Sequence, residues 1–482
     1  MQENDLLRYL RILTEEEKND LKKHLKRLDQ SKPRLLPLFK SFLKEGPDYV
    51  AKTIDEERLA KRAYPDWTYN IQVLRNRNTD LREAIEDFLA QEELRERPLL
   101  RQTLLSARLR KRTPSDAFES NLKRHGKALD QYNLGLDALF LRFNRYLLEL
   151  DAASTSQNKA ELPLLQQARY QLDESYLAWH LFFELEFTSR KRYLNEQYER
   201  PKLNLQSDYW GHILKQAGPV QRLFYQLYEL ETSSASGVEK LAGCKVLFAH
   251  LQKQASDWHT IDQRELFTAL TNFVGYLYNQ RISSCGKLLL RLHRWGHEKS
   301  LLVEEDYLSH SFLINLVVIA GINQELQFAA ELLEHYQSYL TLEVREATVG
   351  FCGALIDFYS HRYDTALQKL ETLDMPQAYD FSVRRQSLLL RLAYERFLAG
   401  QCNSTKVEDR CRAFKTFFQR DAHQVSEALQ EDYLNLERFV RSMTSYRVEP
   451  EPKVTKQGLK SDFDRSKCVA WQWVEKQLDQ LP

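Results

Sequence analysis

The chain has 482 residues, 43% hydrophobic and 28% charged, with a formal net charge of +1. One hydrophobic core does not extend over that length, so several domains or one long array are expected. The composition excludes a disordered chain, and the balanced charge excludes a global attraction to nucleic acid or an anionic membrane.

With only 15 glycines and 13 prolines, the chain favours long helices over turn-rich β architectures, because both residues break regular structure. The opening "MQENDLLRYLRILTEEE" has no apolar core of a secretory signal. The most apolar run, Phe312 to Gly321, is too short to span a bilayer. The cysteines Cys244, Cys285, Cys352, Cys402, Cys411 and Cys468 are scattered without a CxxC. Together these features predict a cytoplasmic protein with reduced thiols and no membrane association.

In chain order, Leu6, Leu7, Leu10 and Leu13 open a helix. Thr14 and Glu17 form a capping box for the next one, which presents Leu21, Leu25 and Leu28 on one face. A short helix closes at Gly46 and Pro47. Another is capped by Thr53 or Asp55 and stops at Pro65. Ile71, Leu74, Leu81, Ile85, Phe88 and Leu89 mark a longer amphipathic helix. Pro98 and Pro114 stand at helix starts. From Pro114 to Leu150 the pattern fits one long helix or a kinked pair, with Gly126 and Gly135 as weak points. Asp151–Pro163 is expected to be a polar loop, followed by a long helix ending before Pro201. Glu231–Gly237 is the next loop.

From Asp262 onward the pattern is one of helix pairs: Asp262–Gln280 with Ser283–His297, Glu305–Gly321 with Gln324–Leu340, Glu343–Ser360 with Tyr363–Leu373, and Asp380–Gly400 with Thr405–Gln419. A helix near Val425–Thr444 has no evident mate. A Pro- and charge-rich linker follows, then a tail helix with Val469, Trp473, Val474 and Leu478 at helical spacing. Trp473 is expected to dock on the array. No segment alternates like a strand, so the class is all-α: a helical N-terminal domain (1–113), a long-helix middle region (114–256), an α-α array (257–447) and a linker with tail helix (448–482).

The hairpin "GFCGALIDFYSHRYDTALQKLETL" carries small residues on its first helix (Gly353, Ala354), Tyr363 at the turn, and Ala366 with Leu370 on the second. Leu326, Ala329 and Leu333 repeat the second-helix pattern. This resembles a degenerate tetratricopeptide (TPR) unit, in which small residues let paired helices approach. The chain is also similar to a bacterial protein family of about this length with no assigned activity, through "LRYLRILTEEEK", "NFVGYLYNQ", "GHEKSLL" and "WQWVEKQL". The TPR resemblance implies a solenoid with a concave groove for a peptide or helix. With Ala366 fixing the register, the groove positions of a carboxylate clamp fall on Thr348, Phe351 and Leu355. These cannot pair with a carboxylate, so chaperone-tail binding is not expected.

Asn272, Tyr276, Asn279 and Asn315 are polar or amphipathic residues on otherwise apolar first helices, and are the candidate groove contacts. His293 and His297 lie four apart, but without a third ligand they read as a helix C-terminus closed at Gly296, so no metal is expected. The aromatics of "SYLAWHLFFELEF", with His180, read as core. The basic runs Ala107–Arg112 and Ser189–Tyr193 read as solvated helix ends. The segment before and through "VLRNRN" is similar to the helix-turn-helix of a winged-helix domain, which would present Arg75, Asn76, Arg77 and Asn78 to a DNA groove. No GxSxG, phosphate loop, GxGxxG, HExxH or kinase signature occurs, so no catalytic residue or cofactor is predicted. The expectation is a non-catalytic interaction scaffold for a protein partner; the alternative is a nucleic-acid-binding regulator with a TPR-like sensor region.

Overall fold

A computed structural model describes residues 3–28, 34–46, 48–112, 116–131, 136–155, 161–193, 208–258, 260–282, 284–303, 306–374, 379–420, 427–448 and 455–482. The fold is all-α, with no strand among the described residues. Two compact units form. Met1–Leu129 with Asn144–Glu161 makes the first; Asp130–Phe143 with Leu162–Pro482 makes the second.

The first unit begins with α1 (Asp5–Ile12), α2 (Glu15–Leu28) and α3 (Leu35–Phe42), then α4 (Glu56–Ala63), α5 (Ile71–Glu96), α6 (Pro98–Arg110) and α7 (Asp116–Gln131). The capping box expected at Thr14 is present: its Oγ1 accepts from the Glu17 N–H at 3.2 Å, and Glu17 Oε2 accepts from the Thr14 N–H at 2.7 Å. Asp55, rather than Thr53, caps α4, accepting from the amides of Glu57 and Arg58. Leu7, Leu21, Leu38, Phe39, Phe42, Leu59, Leu81 and Ile85 share one core. Pro114 and Gly135 lie outside the described residues. Beyond that gap runs α8 (Leu136–Thr155), so the stretch from Pro114 to Leu150 is two helices.

The second unit continues through α9 (Glu161–Tyr193), α10 (Asp208–Gln216), α11 (Pro219–Thr232) and α12 (Gly237–Gln254). The polar loop expected over Asp151–Pro163 is therefore shorter at both ends, because Asp151–Thr155 completes α8 and Glu161–Pro163 begins α9; residues 156–160 lie outside the described residues. Pro163 is tolerated there because a helix's first turn has no N–H acceptor to lose. The loop expected over Glu231–Gly237 is also narrower, since Ser236 and Glu239 form a capping box that starts α12.

The helix pairs follow: α13 (Thr260–Asn279) with α14 (Cys285–Glu298), α15 (His310–Ile322) with α16 (Leu326–Tyr336), α17 (Leu342–Tyr359) with α18 (Tyr363–Thr372), and α19 (Tyr379–Leu398) with α20 (Ser404–Arg420). Each pair packs on the next, and first helices also touch one another, as α15 does α17 and α17 does α19. Ala329, Ala354 and Ala366 are fully buried where these helices meet. Gly321 is needed for close approach: a Cβ there would stand 2.2 Å from Cδ2 of Tyr359.

Three expectations change here. α14 does not stop at Gly296; it runs on to Glu298 and closes at Ser300, whose φ is +56°. Gly296 faces Phe267, leaving no room for a side chain. Next, α21 (Glu427–Val448) does have mates, packing on α20 and α19 through Leu436, Phe439, Val440 and Met443. Finally, the linker holds a short helix, α22 (Lys456–Ser461), capped by Thr455, before the tail helix α23 (Trp471–Asp479).

The aromatic run on α9 is only half core. Leu177, Leu181 and Leu185 are buried, while Tyr176, Phe183 and Phe187 are exposed. Apolar residues lie on more than one face of this helix, and only one of those faces meets the core. His180 is half-buried and stacks on Tyr176 at 5.2 Å.

Candidate partner-binding site

The turns between first and second helices close in the same way four times. After α13, α15, α17 and α19 come Arg281, Gln324, His361 and Gly400, with φ of +62°, +62°, +61° and +72°. The next amide in each turn bonds back to the last helical turn: Ile282 to Leu277, Glu325 to Ala320, Arg362 to Asp357 and Gln401 to Arg396. This is the left-handed cap that satisfies orphan carbonyls at a helix end. Only Gly400 adopts it freely; in Arg281, Gln324 and His361 the Cβ costs on the order of 1 kcal/mol or more.

The tail lies along these turns. Arg281, its side chain only 9% exposed, donates to the carbonyls of Arg465 (2.5 Å) and Cys468 (2.7 Å) and stands 3.9 Å from Asp432. Burial lowers the Arg281 pKa and raises that of Asp432, while their attraction opposes both shifts. Tyr278 donates to Gln472 at 2.7 Å. Glu395 on α19 is the focus: it accepts from Trp473 Nε1 (2.7 Å), Gln477 Nε2 (2.9 Å) and the Tyr363 hydroxyl (3.1 Å). The Trp473 ring meets Tyr394 edge-on. Val474 and Leu478 complete the apolar face of α23 against α19, α20 and α21.

Between this helix and the turns remains a cleft of about 120 Å³, the size of one side chain, bordered by Gln324, Tyr359, His361, Arg391, Glu395 and Lys476. Arg391 lies over the Phe358 ring at 5.1 Å. His361 Nδ1 is 2.7 Å from the Tyr363 hydroxyl, and burial with the Glu395 charge raises the pKa of that hydroxyl. Aromatic walls with Arg391 and Lys476 beside the Glu395 carboxylate suit an aromatic or polar side chain.

The residues singled out from sequence are placed as follows. Asn272 and Tyr276 are half-buried on α13, with the Tyr276 ring stacked on Phe273; Asn279 is exposed at its end. Asn315 is exposed and accepts from Arg384 at 3.0 Å, joining α15 to α19. Near it, His310 stacks on Phe381 at 4.7 Å. These four residues do not line the cleft. Thr348, Phe351 and Leu355 are all buried, so the carboxylate-clamp positions assigned to them face the core and not a groove. The reason is that α17 is covered by neighbours on both sides, α15 and α16 before it, α18 and α19 after it.

In the first unit Arg75 and Asn76 are exposed, Arg77 pairs with Asp80 at 3.2 Å, and Asn78 is buried. Four consecutive helical residues point to different sides, so they share no single face. His293 is buried in the core, and burial depresses its pKa to about 3. His297 bonds the Tyr336 hydroxyl at 2.7 Å. No group of three or more His, Cys, Asp or Glu that could hold a metal occurs among the described residues. No helix among them is long and apolar enough to cross a membrane. No protein-family model, curated protein or solved structure matches the chain.

Sequence reasoning missed the row of turns. Its signal was weak, because three of the four left-handed positions carry Arg, Gln and His instead of glycine.

Proposed function

We propose that this chain is a non-catalytic interaction scaffold, a solenoid of TPR-like helix pairs that holds a protein partner along its turns. The observation that carries the reading is the tail helix itself. α23 lies across consecutive turns, anchored by Trp473 on Glu395, which is how an amphipathic helix docks in a groove. Beside it the cleft at Arg391, Glu395 and Lys476 offers a place for one aromatic or polar side chain of the partner. Asn279, exposed at the end of α13, would add a polar contact beside the first turn, whereas Asn272, Tyr276 and Asn315 stand apart from the cleft.

Strained residues held at a surface support the same reading, since left-handed Gln324 and His361 border the cleft. The alternative, a nucleic-acid-binding regulator, rests on exposed Arg75 and Asn76.

Affinity capture from the native cell, with and without nuclease, separates the two. The scaffold reading expects nuclease-resistant protein partners that are lost with Arg391→Glu and retained with Arg75→Ala. Partners lost on nuclease treatment and on Arg75→Ala, but indifferent to Arg391→Glu, would overturn it.

A further inference from the structure

One face of α9, exposed at Arg169, Leu172, Tyr176 and Phe183 and partly buried at Trp179 and Glu186, carries a heptad seam. Arg169, Leu172, Tyr176, Trp179, Phe183 and Glu186 recur at alternating spacings of four and three within one 33-residue helix. That is the a/d spacing of a coiled coil. Leu172, Tyr176 and Phe183 are 45%, 50% and 49% exposed. The opposite face is already used, since Leu177, Ala178, Leu181 and Leu185 lie in the core of the second unit. Trp210 and His180 both stack on the Tyr176 ring, at 5.7 and 5.2 Å, yet half of that residue stays exposed. A contiguous apolar stripe of this length on a helix that is already packed on its other side marks an interface.

The two charged seam positions identify the occupant and its direction. Parallel in-register pairing of two copies would set Arg169 against Arg169 and Glu186 against Glu186. Antiparallel pairing sets a against d, so that Arg169 meets Glu186 of the second copy, Leu172 meets Phe183, and Tyr176 meets Trp179. The two-fold axis then repeats every pair, giving six layers over about 26 Å of helix. Within these six layers each charge meets its opposite and each large apolar group meets another; the next layer outward sets Leu165 against Arg190 and ends the seam. Arg169 is available for this, with its side chain 75% exposed and its own-chain Asp173 at 3.8 Å; Glu186, 29% exposed, would exchange its own-chain Arg190 at 3.1 Å for Arg169 of the second copy.

We propose that α9 is the seam of an antiparallel homodimer. The test is the mass of the full chain by light scattering across a dilution series, with helicity followed by circular dichroism. The wild type is expected at twice 57.0 kDa at the concentrated end. Arg169→Glu sets like charges together and is expected to return the chain to 57.0 kDa. The double variant Arg169→Glu with Glu186→Arg restores the dimer, and Phe183→Glu abolishes it without loss of helicity. A wild type that is monomeric throughout, an Arg169→Glu chain that stays dimeric, or a double variant that fails to recover would each overturn the proposal.

Discussion

Glu395 and Trp473 are 78 residues apart in sequence and joined by a hydrogen bond of 2.7 Å from the indole Nε1 to a carboxylate oxygen. The same carboxylate oxygen also accepts from Gln477, so one acid on α19 fixes two side chains of α23. A charged acceptor makes such bonds stronger than neutral ones.

Removing the indole should therefore unseat the tail. Trp473→Ala is expected to destabilise the second unit by about 2–3 kcal/mol, less than for a fully buried Trp because the residue is partly exposed. Urea unfolding followed by tryptophan-independent circular dichroism measures it. An unchanged unfolding midpoint of the second unit would mean that α23 is held by other contacts.

Gly321 and Gly353 make a paired test of the helix packing. An added Cβ at Gly321 would stand 2.2 Å from the Tyr359 ring, whereas at Gly353 its nearest neighbour is the flexible Lys369 Nζ at 3.5 Å. Gly321→Ala should cost about 1–3 kcal/mol through overpacking. Gly353→Ala should be neutral or gain up to about 1 kcal/mol from helix propensity. Melting temperatures of the two variants should move apart, and equal shifts would contradict the packing described.

Gln324 and His361 hold left-handed backbone at the cleft, with φ of +62° and +61°. Replacing either by glycine should raise stability by up to about 1 kcal/mol. If these side chains serve binding, the same variants should capture less partner. A variant that gains stability with no loss of capture would show that the cleft side chain is not used.

Asp262 sets a pH dependence. Burial and the nearby Glu265 raise its pKa from 3.8 to about 8, and its Oδ2 makes no hydrogen bond. Gln221, also buried, borders the same small cavity of about 10 Å³. Because the folded value lies above the unfolded one, the favourable protonated state is fully present below about pH 4. Stability is then lost as pH rises through about 8. Asp262→Asn should flatten this fall, gaining on the order of 1–3 kcal/mol at pH 8 and little at pH 4. His293 acts in the opposite sense: its depressed value of about 3 means stability is lost as pH falls below 6.5. Chemical denaturation at three pH values distinguishes the two contributions.

Local pattern made the helices legible. Leucine spacing located α1, α2 and α5, the Thr14 box located the start of α2, and Ala329 and Ala366 located the second helices of two pairs. The tail's amphipathic face was legible too, through Val474 and Leu478. What was not legible depends on partners distant in sequence. Nothing local to Glu395 announces Trp473, and nothing local to Gly296 announces Phe267, so that glycine reads as a helix stop when it is a close-packing site. The clamp register failed for a related reason: Phe351 and Leu355 have the spacing of a groove face, but α17 is covered on both sides. The exposed half of the α9 aromatics was missed because periodicity finds apolar faces without telling which one meets the core.

The scaffold reading is tested most directly by a photo-reactive residue placed at His361, at the mouth of the cleft, in the full chain within its native cell. It predicts discrete protein adducts that disappear with Arg391→Glu, while the same probe at Arg75 gives none. Adducts at Arg75 that contain nucleic acid, with none at His361, would contradict it.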